Sequence, residues 1–288
     1  MHNFDYSSTS AEDLPYVVAC MPAYQSGQFI SRTLDSVLSQ NYPNIRIFIS
    51  IDVCEDNTLE VCQQYQQQFP QITLFEQTER QGWLNNTNFL FQQVEDPYFF
   101  YMQHDDVIDS QYVSQIMEVL INTSNAILGY SDMTRHHYKL PKRVECFEQM
   151  SLTIKSKERV AKFLRSPYWY VVFRGIVSRK GLLKAGLLQM NGKTEFSADF
   201  IWLINLAYYG NFIRVPKPLY DKYVLDTSLA ESWSKGSIRY FKMYRNAAKS
   251  ILSLPAPLSD KVELVCSVWF AFVVKVFVKL VPKKKNQS

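Results

Sequence analysis

Asp96-Pro97-Tyr98-Phe99-Phe100-Tyr101-Met102-Gln103-His104-Asp105-Asp106 is a run of aromatic and apolar residues that stops abruptly at two carboxylates. No polar residue alternates with the apolar ones from Tyr98 to Met102, the pattern of a strand buried on both faces rather than of a half-exposed edge. Asp105 and Asp106 then fall just past its carboxyl end. Ligands of open α/β sheets collect outside the carboxyl ends of the strands, so two acids delivered there are candidates for holding a divalent cation and its phosphates. The pair has a plainer use as well, since acids are favoured where a helix starts and one is expected from about Ser110.

Upstream, Tyr16-Val17-Val18-Ala19-Cys20-Met21 is an apolar run halted by Pro22, which predicts a buried first strand followed by a loop, Pro22-Ala23-Tyr24-Gln25-Ser26-Gly27. A helix over 28–40 follows, with Phe29, Ile30, Leu34, Val37 and Leu38 at amphipathic spacing. No GxGxxG joins strand to helix, which argues against a dinucleotide site, where glycines let the backbone approach pyrophosphate. A second strand over 45–51 also ends in acid, at Asp52, with Glu55 and Asp56 close behind. Asp52 is placed either to accept from a base or ribose donor or to turn the loop. A helix over 58–69 and a strand over 72–75 repeat the alternation, so a mostly parallel, Rossmann-like sheet with helices on both faces is expected. Arg80-Gln81-Gly82-Trp83-Leu84-Asn85-Asn86-Thr87-Asn88 opens the next helix; such a polar start suits ordinary capping and also a grip on phosphate or sugar.

Downstream, a helix over 111–121 and a strand over 126–130 complete a nucleotide-sized half. The charged stretch 131–150 reads as a mobile surface loop, and His136 and His137, being adjacent, point apart rather than chelate. Tyr168, Trp169 and Tyr170 form an aromatic cluster suited to stacking on a sugar ring or to a core. The segment 195–210 reads as a helix capped by Gly210, with Asp199 in its first turn as the helix dipole favours in any protein. Strands over 212–223 and an amphipathic helix over 237–252 follow. Pro255-Ala256-Pro257 sets off a last element over 260–281, apolar from Leu264 onward except for Ser267, Lys275 and Lys279. Two lysines within it argue against a transmembrane span. With Lys283, Lys284 and Lys285 they suit a helix lying in the headgroup layer of an anionic membrane, the alternative being a core or oligomer helix.

At 288 residues, 47% of them hydrophobic, the chain has ample material for a core. Its formal charge of +4 leaves no broad nucleic-acid footprint. Five scattered cysteines without metal-type pairing suggest a reducing compartment and no zinc site. Residues 1–14 read as a loose polar tail rather than a secretion signal, so the cytoplasm, at the membrane face, is expected.

With these motifs in place, the chain resembles the inverting GT-A glycosyltransferases of glycosyltransferase family 2 over residues 16 to about 233. The matching pieces are Pro22-Ala23-Tyr24, Asp52 with Asp56-Asn57-Thr58, the segment 82–88, Asp105-Asp106, Asp199 ahead of Trp202, and Leu219-Tyr220 followed by Ser228. The resemblance implies a catalytic domain over 15–235, divided into a nucleotide-sugar half (15–130) and an acceptor half (131–235), with C-terminal helices over 236–288. It implies a UDP-sugar or related donor held by Pro22, Ala23, Tyr24, Asp52, Arg80, Gly82, Asn88, Gln103 and Asp105. Asp105 and Asp106 would carry Mg²⁺ or Mn²⁺, and Asp199 would act as general base. A glycan or lipid-linked acceptor would meet Tyr168, Trp169, Trp202 and Trp233, and oligomers are compatible with all of this. The chain departs from the family pattern in three places. Gln103-His104-Asp105 stands where Asp-x-Asp is usual, Ala198-Asp199 where Glu-Asp is usual, and Leu225-Asp226 where many members carry a His. Those departures keep open a scaffold that has lost turnover; a nucleotidyltransferase is the further rival, disfavoured by the lack of a glycine-rich basic first loop.

Overall fold

The computed structural model describes residues 13–166, 168–190, 195–226 and 237–280, with 237–239 and 276–280 by backbone alone. The amino-terminal part is the expected alternation: β1 (Val17–Ala23), α1 (Ile30–Leu38), β2 (Ile45–Ile51), α2 (Thr58–Gln68), β3 (Ile72–Glu76), α3 (Gly82–Gln93) and β4 (Tyr98–Tyr101). These strands pair in parallel in the order β3-β2-β1-β4. Val17 to Met21, Phe99 and Phe100 are fully buried, as strands covered on both faces must be.

Beyond β4 the chain adds β5 (Val107–Ile108), α4 (Tyr112–Ile121), β6 (Ala126–His137), β7 (Leu140–Glu145), α5 (Ser156–Arg165), α6 (Trp169–Val172), β8 (Ile176–Ser178), α7 (Arg179–Ala185), α8 (Ala198–Tyr209) and β9 (Asn211–Val224). The sheet continues β4-β8-β6-β9-β5, with β7 on the side of β6. It is therefore mixed. β8 runs antiparallel to both β4 and β6, β9 is parallel to β6, and β5 and β7 are antiparallel to their partners.

Three expectations are corrected here. Pro22 does not end β1, which runs through it to Ala23 beside Ser50 and Ile51. The last backbone bond to β4 is Met102 N–H to Cys20 O, so the nitrogen of Pro22 faces the side where β4 has already stopped and no donor is missed. The stretch 131–150 is not a loop, because β6 extends to His137 and turns back as β7. Ser131, Asp132 and Thr134 of β6 are buried, and Arg214 donates to both carboxylate oxygens of Asp132, at 2.7 and 2.9 Å. Finally, β9 is one strand through Pro216 and Pro218, where the pairing steps from Val215 opposite Ser131 to Pro218 opposite Asp132 and so absorbs the residues that cannot extend the ladder.

Two further helices, α9 (Ser237–Ser253) and α10 (Leu258–Leu280), pack together on α5 and α8. Leu264, Val268 and Ala271 turn the buried face of α10 inward, and Lys157 of α5 binds Asp260 and Glu263 at 3.0 and 2.8 Å.

Candidate active site

The carboxyl ends of β1, β2 and β4 bring the sequence-predicted acids to one rim of the sheet. The turn after β4 is held from beneath by α1. Thr33 Oγ1 donates to the carbonyls of His104 and Asp106, at 3.0 and 2.8 Å, and Arg32 Nη2 to that of Asp105, at 2.9 Å. His104 Nδ1 lies 3.1 Å from the Pro22 carbonyl, which only accepts, so the proton of that bond sits on Nδ1. The turn is thus fixed by backbone contacts that leave its acidic side chains to other uses.

Those uses differ. Asp106, fully buried, faces inward: Oδ2 accepts from the Tyr220 hydroxyl at 2.8 Å, Oδ1 from the Tyr223 N–H at 2.9 Å, and Arg174 Nε stands 3.5 Å away. Asp105, 7% exposed, has an Oδ1 that is buried without a hydrogen-bond partner among the described residues. Burial, and after it the neighbouring Asp106 charge, raises the Asp105 carboxyl above its ordinary range. Of the two acids expected to ligate a cation, Asp106 is occupied in tying the turn to β9 and Asp105 is the one with an oxygen to spare. A buried carboxylate oxygen lacking a partner fits a divalent ion bound through a single acid and completed by substrate phosphates. Among the described residues no group of three or more His, Cys, Asp or Glu gathers into an all-protein cage.

Asp52 lies at the neighbouring strand tip with its carboxylate fully engaged. Oδ2 accepts from Arg80 Nη1 at 2.5 Å and Gly82 N–H at 2.9 Å, and Oδ1 from Gln81 N–H at 2.8 Å and Val53 N–H at 3.0 Å. Arg80 lies flat over the Tyr24 ring, 3.2 Å from its centroid. Gly82 adopts φ +74°, and a Cβ there would sit 2.8 Å from Glu195 Oε1. Glu195 accepts the Leu84 N–H at 3.0 Å, which joins the amino end of α3 to the segment leading into α8. Glu195 is a site residue that the sequence did not single out; the positive-φ glycine opposite it was the available signal.

Asp199 stands half-buried in the first turn of α8, its Oδ1 accepting the Phe200 N–H at 2.9 Å. Burial pushes its carboxyl up to about 6, against the lowering pull of that N–H and of Arg174. Ser197, just before the helix, is held at φ +64° and is buried, a left-handed conformation uncommon for serine and therefore fixed by its surroundings. Arg174 also lies near Tyr101 and Tyr220, and its Nε lacks a hydrogen-bond partner among the described residues. Lys222 on β9 feels Asp105 and Asp106, while burial and the Arg174 charge lower its ammonium below the usual lysine range. Neither cation was anticipated from sequence.

Other predicted residues serve the scaffold. Both amide groups of Asn88 bond the backbone of Leu188, at 2.8 and 3.0 Å. Gln103 takes the Tyr101 hydroxyl, which itself accepts from Trp83 Nε1 at 2.8 Å. Trp202 is 2% exposed, donates to the Gly186 carbonyl at 2.7 Å and packs on Phe91 and Phe173, so it belongs to the core rather than to an acceptor surface. Trp169 packs on Phe200, adjacent to Asp199, and Tyr168 is exposed. Trp233 and Ser228 lie outside the described residues. His136 pairs with Asp221 at 2.7 Å and stacks on Tyr223. Hollows lined by Tyr42 and Gln71, and by Tyr98 and Lys184, lie toward the opposite, amino ends of the strands.

A parallel α/β half carrying acids at its strand tips, joined to a mixed half that adds a buried acid at a helix start, is the architecture of a sugar-nucleotide transferase of the GT-A type. Residues 18–183 match the sequence profile of "Glycosyl transferase family 2", and the chain belongs to that family. Among curated proteins it is similar to a teichoic acid poly(glycerol phosphate) polymerase of Staphylococcus epidermidis, 21% identical over 67% of this chain and 26% of that one. It also resembles the putative teichuronic acid biosynthesis glycosyltransferase TuaG of Bacillus subtilis, 25% identical over 48% of this chain and 55% of that one. The chain thus covers 26% and 55% of the length of these two relatives. In fold it matches S. aureus TarS 1–349 in complex with UDP-GlcNAc, with TM-score 0.69 and 14% identity over 95% of this chain and 78% of that one. It also matches the mannosyltransferase PcManGT from Pyrobaculum calidifontis in complex with GDP-Man and Mn²⁺, with TM-score 0.59 and 14% identity over 93% and 76%.

Proposed function

We propose that the protein transfers a glycosyl group from a nucleoside-diphosphate sugar to an acceptor hydroxyl with inversion, using Asp199 as base and Asp105 as the protein ligand of Mg²⁺ or Mn²⁺. The observation that carries this is the pairing of a partnerless buried oxygen on Asp105 with a helix-start carboxyl, Asp199, that burial raises to about 6 and that feels the Arg174 cation. A carboxyl raised toward neutrality is better matched to general-base work than an ordinary one. In the reaction the acceptor oxygen attacks the anomeric carbon as its proton passes to Asp199. The bond from that carbon to the phosphate oxygen breaks with its electron pair leaving on the diphosphate. The divalent cation supplies charge neutralisation to that departing diphosphate. Arg174 holds Asp106, and through it the Asp105 turn. Tyr24 with Arg80 over its ring, and the segment 80–82 that Asp52 fixes, form the part of the rim where a base is expected. The TarS complexes with UDP and UDP-GlcNAc favour a UDP-sugar.

Incubation with UDP-GlcNAc and GDP-mannose, with Mn²⁺ or EDTA, tests the reading through release of the nucleoside diphosphate and the configuration of the transferred sugar. Metal-stimulated release that Asp199→Asn loses is the expected result. Binding without any release would favour the scaffold alternative.

The acceptor we propose is a glycan or lipid-linked glycan met at the cytoplasmic membrane face through α10. No helix among the described residues is long and apolar enough to cross a membrane. Lys275, the member of the lysine stripe whose side chain is described, lies on the inward face, 5.2 Å over the Tyr240 ring. The opposite face exposes Val262, Phe270 and Val273, and that is the face proposed for the headgroup layer. Removing α10 would strip Leu264 and Val268 from the core, so Val262→Ser with Phe270→Ser is the cleaner test. The double variant should sediment less with anionic liposomes while keeping donor binding.

A further inference from the structure

Cations at the carboxyl rim of the sheet are mostly matched by acids. Arg80 is held by Asp52, Arg214 by Asp132, and Arg174 stands beside Asp106. Lys222 is different. Along β9, Tyr220 turns its hydroxyl onto Asp106, and Lys222, two residues on, projects from the same face of the strand. It therefore faces the rim that carries Asp106 and stands near enough to Asp105, Asp106, Arg174 and Asp199 to interact with their charges. No carboxylate among the described residues comes within 4.0 Å of its Nζ, although the opposite strand position brings up a further cation, Arg135. Arg174 Nε and Arg135 Nε are buried without hydrogen-bond partners as well. A half-buried ammonium beside two other cations, with no acid in contact, is an arrangement that folding alone disfavours. A polyanion arriving at this rim reverses that balance.

We infer that Lys222 binds the diphosphate of the donor directly, sharing with the cation on Asp105 the charge that builds on the leaving group. The inference rests on the donor reading above. As the anomeric bond breaks, the electron pair lands on the phosphate oxygen and Lys222 donates a hydrogen bond to the diphosphate. No proton need leave the lysine. Its contribution does not depend on the metal, so the protein should retain diphosphate affinity in EDTA.

The test is calorimetric titration of the full chain with UDP and GDP and with the matching nucleosides, uridine and guanosine, in EDTA and in Mn²⁺. The wild-type protein is expected to bind one diphosphate more tightly than its nucleoside even in EDTA. Lys222→Met should weaken that diphosphate by roughly 10- to 100-fold, the worth of a hydrogen bond to a charged group, and leave the nucleoside unchanged. Lys222→Arg should restore most of the loss, and the melting temperature of Lys222→Met should equal or exceed that of the wild type. Undiminished diphosphate binding by Lys222→Met would overturn the inference and leave the donor reading standing, as would an equal loss for diphosphate and nucleoside. Failure of the wild-type protein to bind either diphosphate would overturn both.

Discussion

Asp105→Asn and Asp106→Asn remove one negative charge each from adjacent positions, yet the structure assigns them opposite consequences. Asp106 accepts from Tyr220 and Tyr223 and neutralises Arg174 where no solvent reaches. An amide there keeps one acceptor, turns a donor toward another donor, and leaves Arg174 without its counter-charge. Breaking a buried pair from one side costs about 3–5 kcal/mol, and 1 kcal/mol moves the melting temperature of a chain near this size by about 2–4 °C, so a fall of roughly 6–20 °C is expected. Asp105 runs the other way. Its folded carboxyl is raised, first by burial, so ionising it is harder in the folded state than in the unfolded one. Stability therefore declines as pH rises from the ordinary value of 3.8 through the raised one, and the amide, which never ionises, escapes that decline. At pH 7.5 in EDTA, Asp105→Asn should melt at or above the wild-type temperature, and the two should converge below pH 3.8. Added Mn²⁺ and UDP, at a hundred times the wild-type dissociation constant, should stabilise the wild type by about 2.7 kcal/mol and Asp105→Asn by distinctly less, no more than UDP alone in EDTA gives the wild type. Scanning fluorimetry reads both arms. Equal thermal losses in the two variants, or a full ligand-induced rise in Asp105→Asn, would refute the division of labour between them.

Asp199→Asn should keep donor affinity and lose roughly two to four orders of magnitude in kcat, measured by donor turnover. The wild-type rate should fall on the acid side of about pH 6, a limb the variant lacks, because a base acts only when ionised. Gly82→Ala should cost about 1–2 kcal/mol from its φ of +74° alone and, by pushing on Glu195, weaken nucleotide binding in the same titrations. Arg80→Ala should weaken uridine and UDP alike, since it stacks on Tyr24 and braces Asp52 on the base side, in contrast to the diphosphate-only effect expected at Lys222.

The amino-terminal half was legible because its signals are local. Each buried strand is a short apolar run and each helix an amphipathic one, so β1 to β4 follow from the sequence with boundaries shifted by a few residues. The carboxyl half showed where β6 and β9 begin but hid the length of β6, the return strand β7 and the continuity of β9, because the polar residues there are satisfied at a distance. Ser131, Asp132 and Thr134 look like loop text until Arg214, 82 residues beyond Asp132, is seen to cover one of them. Pro216 and Pro218 look like a break until the register step opposite Ser131 takes them up. A sheet that mixes parallel and antiparallel pairs has no single periodicity to find, and antiparallel β8 between β4 and β6 is three residues long.

At the site, sequence located the acids and left their duties open, because duty depends on which way a side chain turns within a fixed backbone. Asp105 and Asp106 are equivalent as text; what separates them is that the turn is pinned through its carbonyls by Thr33 and Arg32, which points one carboxylate into β9 and leaves the other facing the rim. The cations were invisible for the same reason. Arg174 follows a short helix and Lys222 sits within a strand beside Asp221, whose carboxylate pairs with His136 instead, so the text around neither cation points to the site. Only the closure of β9 over the turn, by the Tyr223 N–H on Asp106, carries Lys222 to the Asp105 side of the sheet. The two halves of the chain are therefore not separable into donor and acceptor parts at this point: the acid offered to the cation comes from the first half, and the charges that would receive the leaving group come from the second.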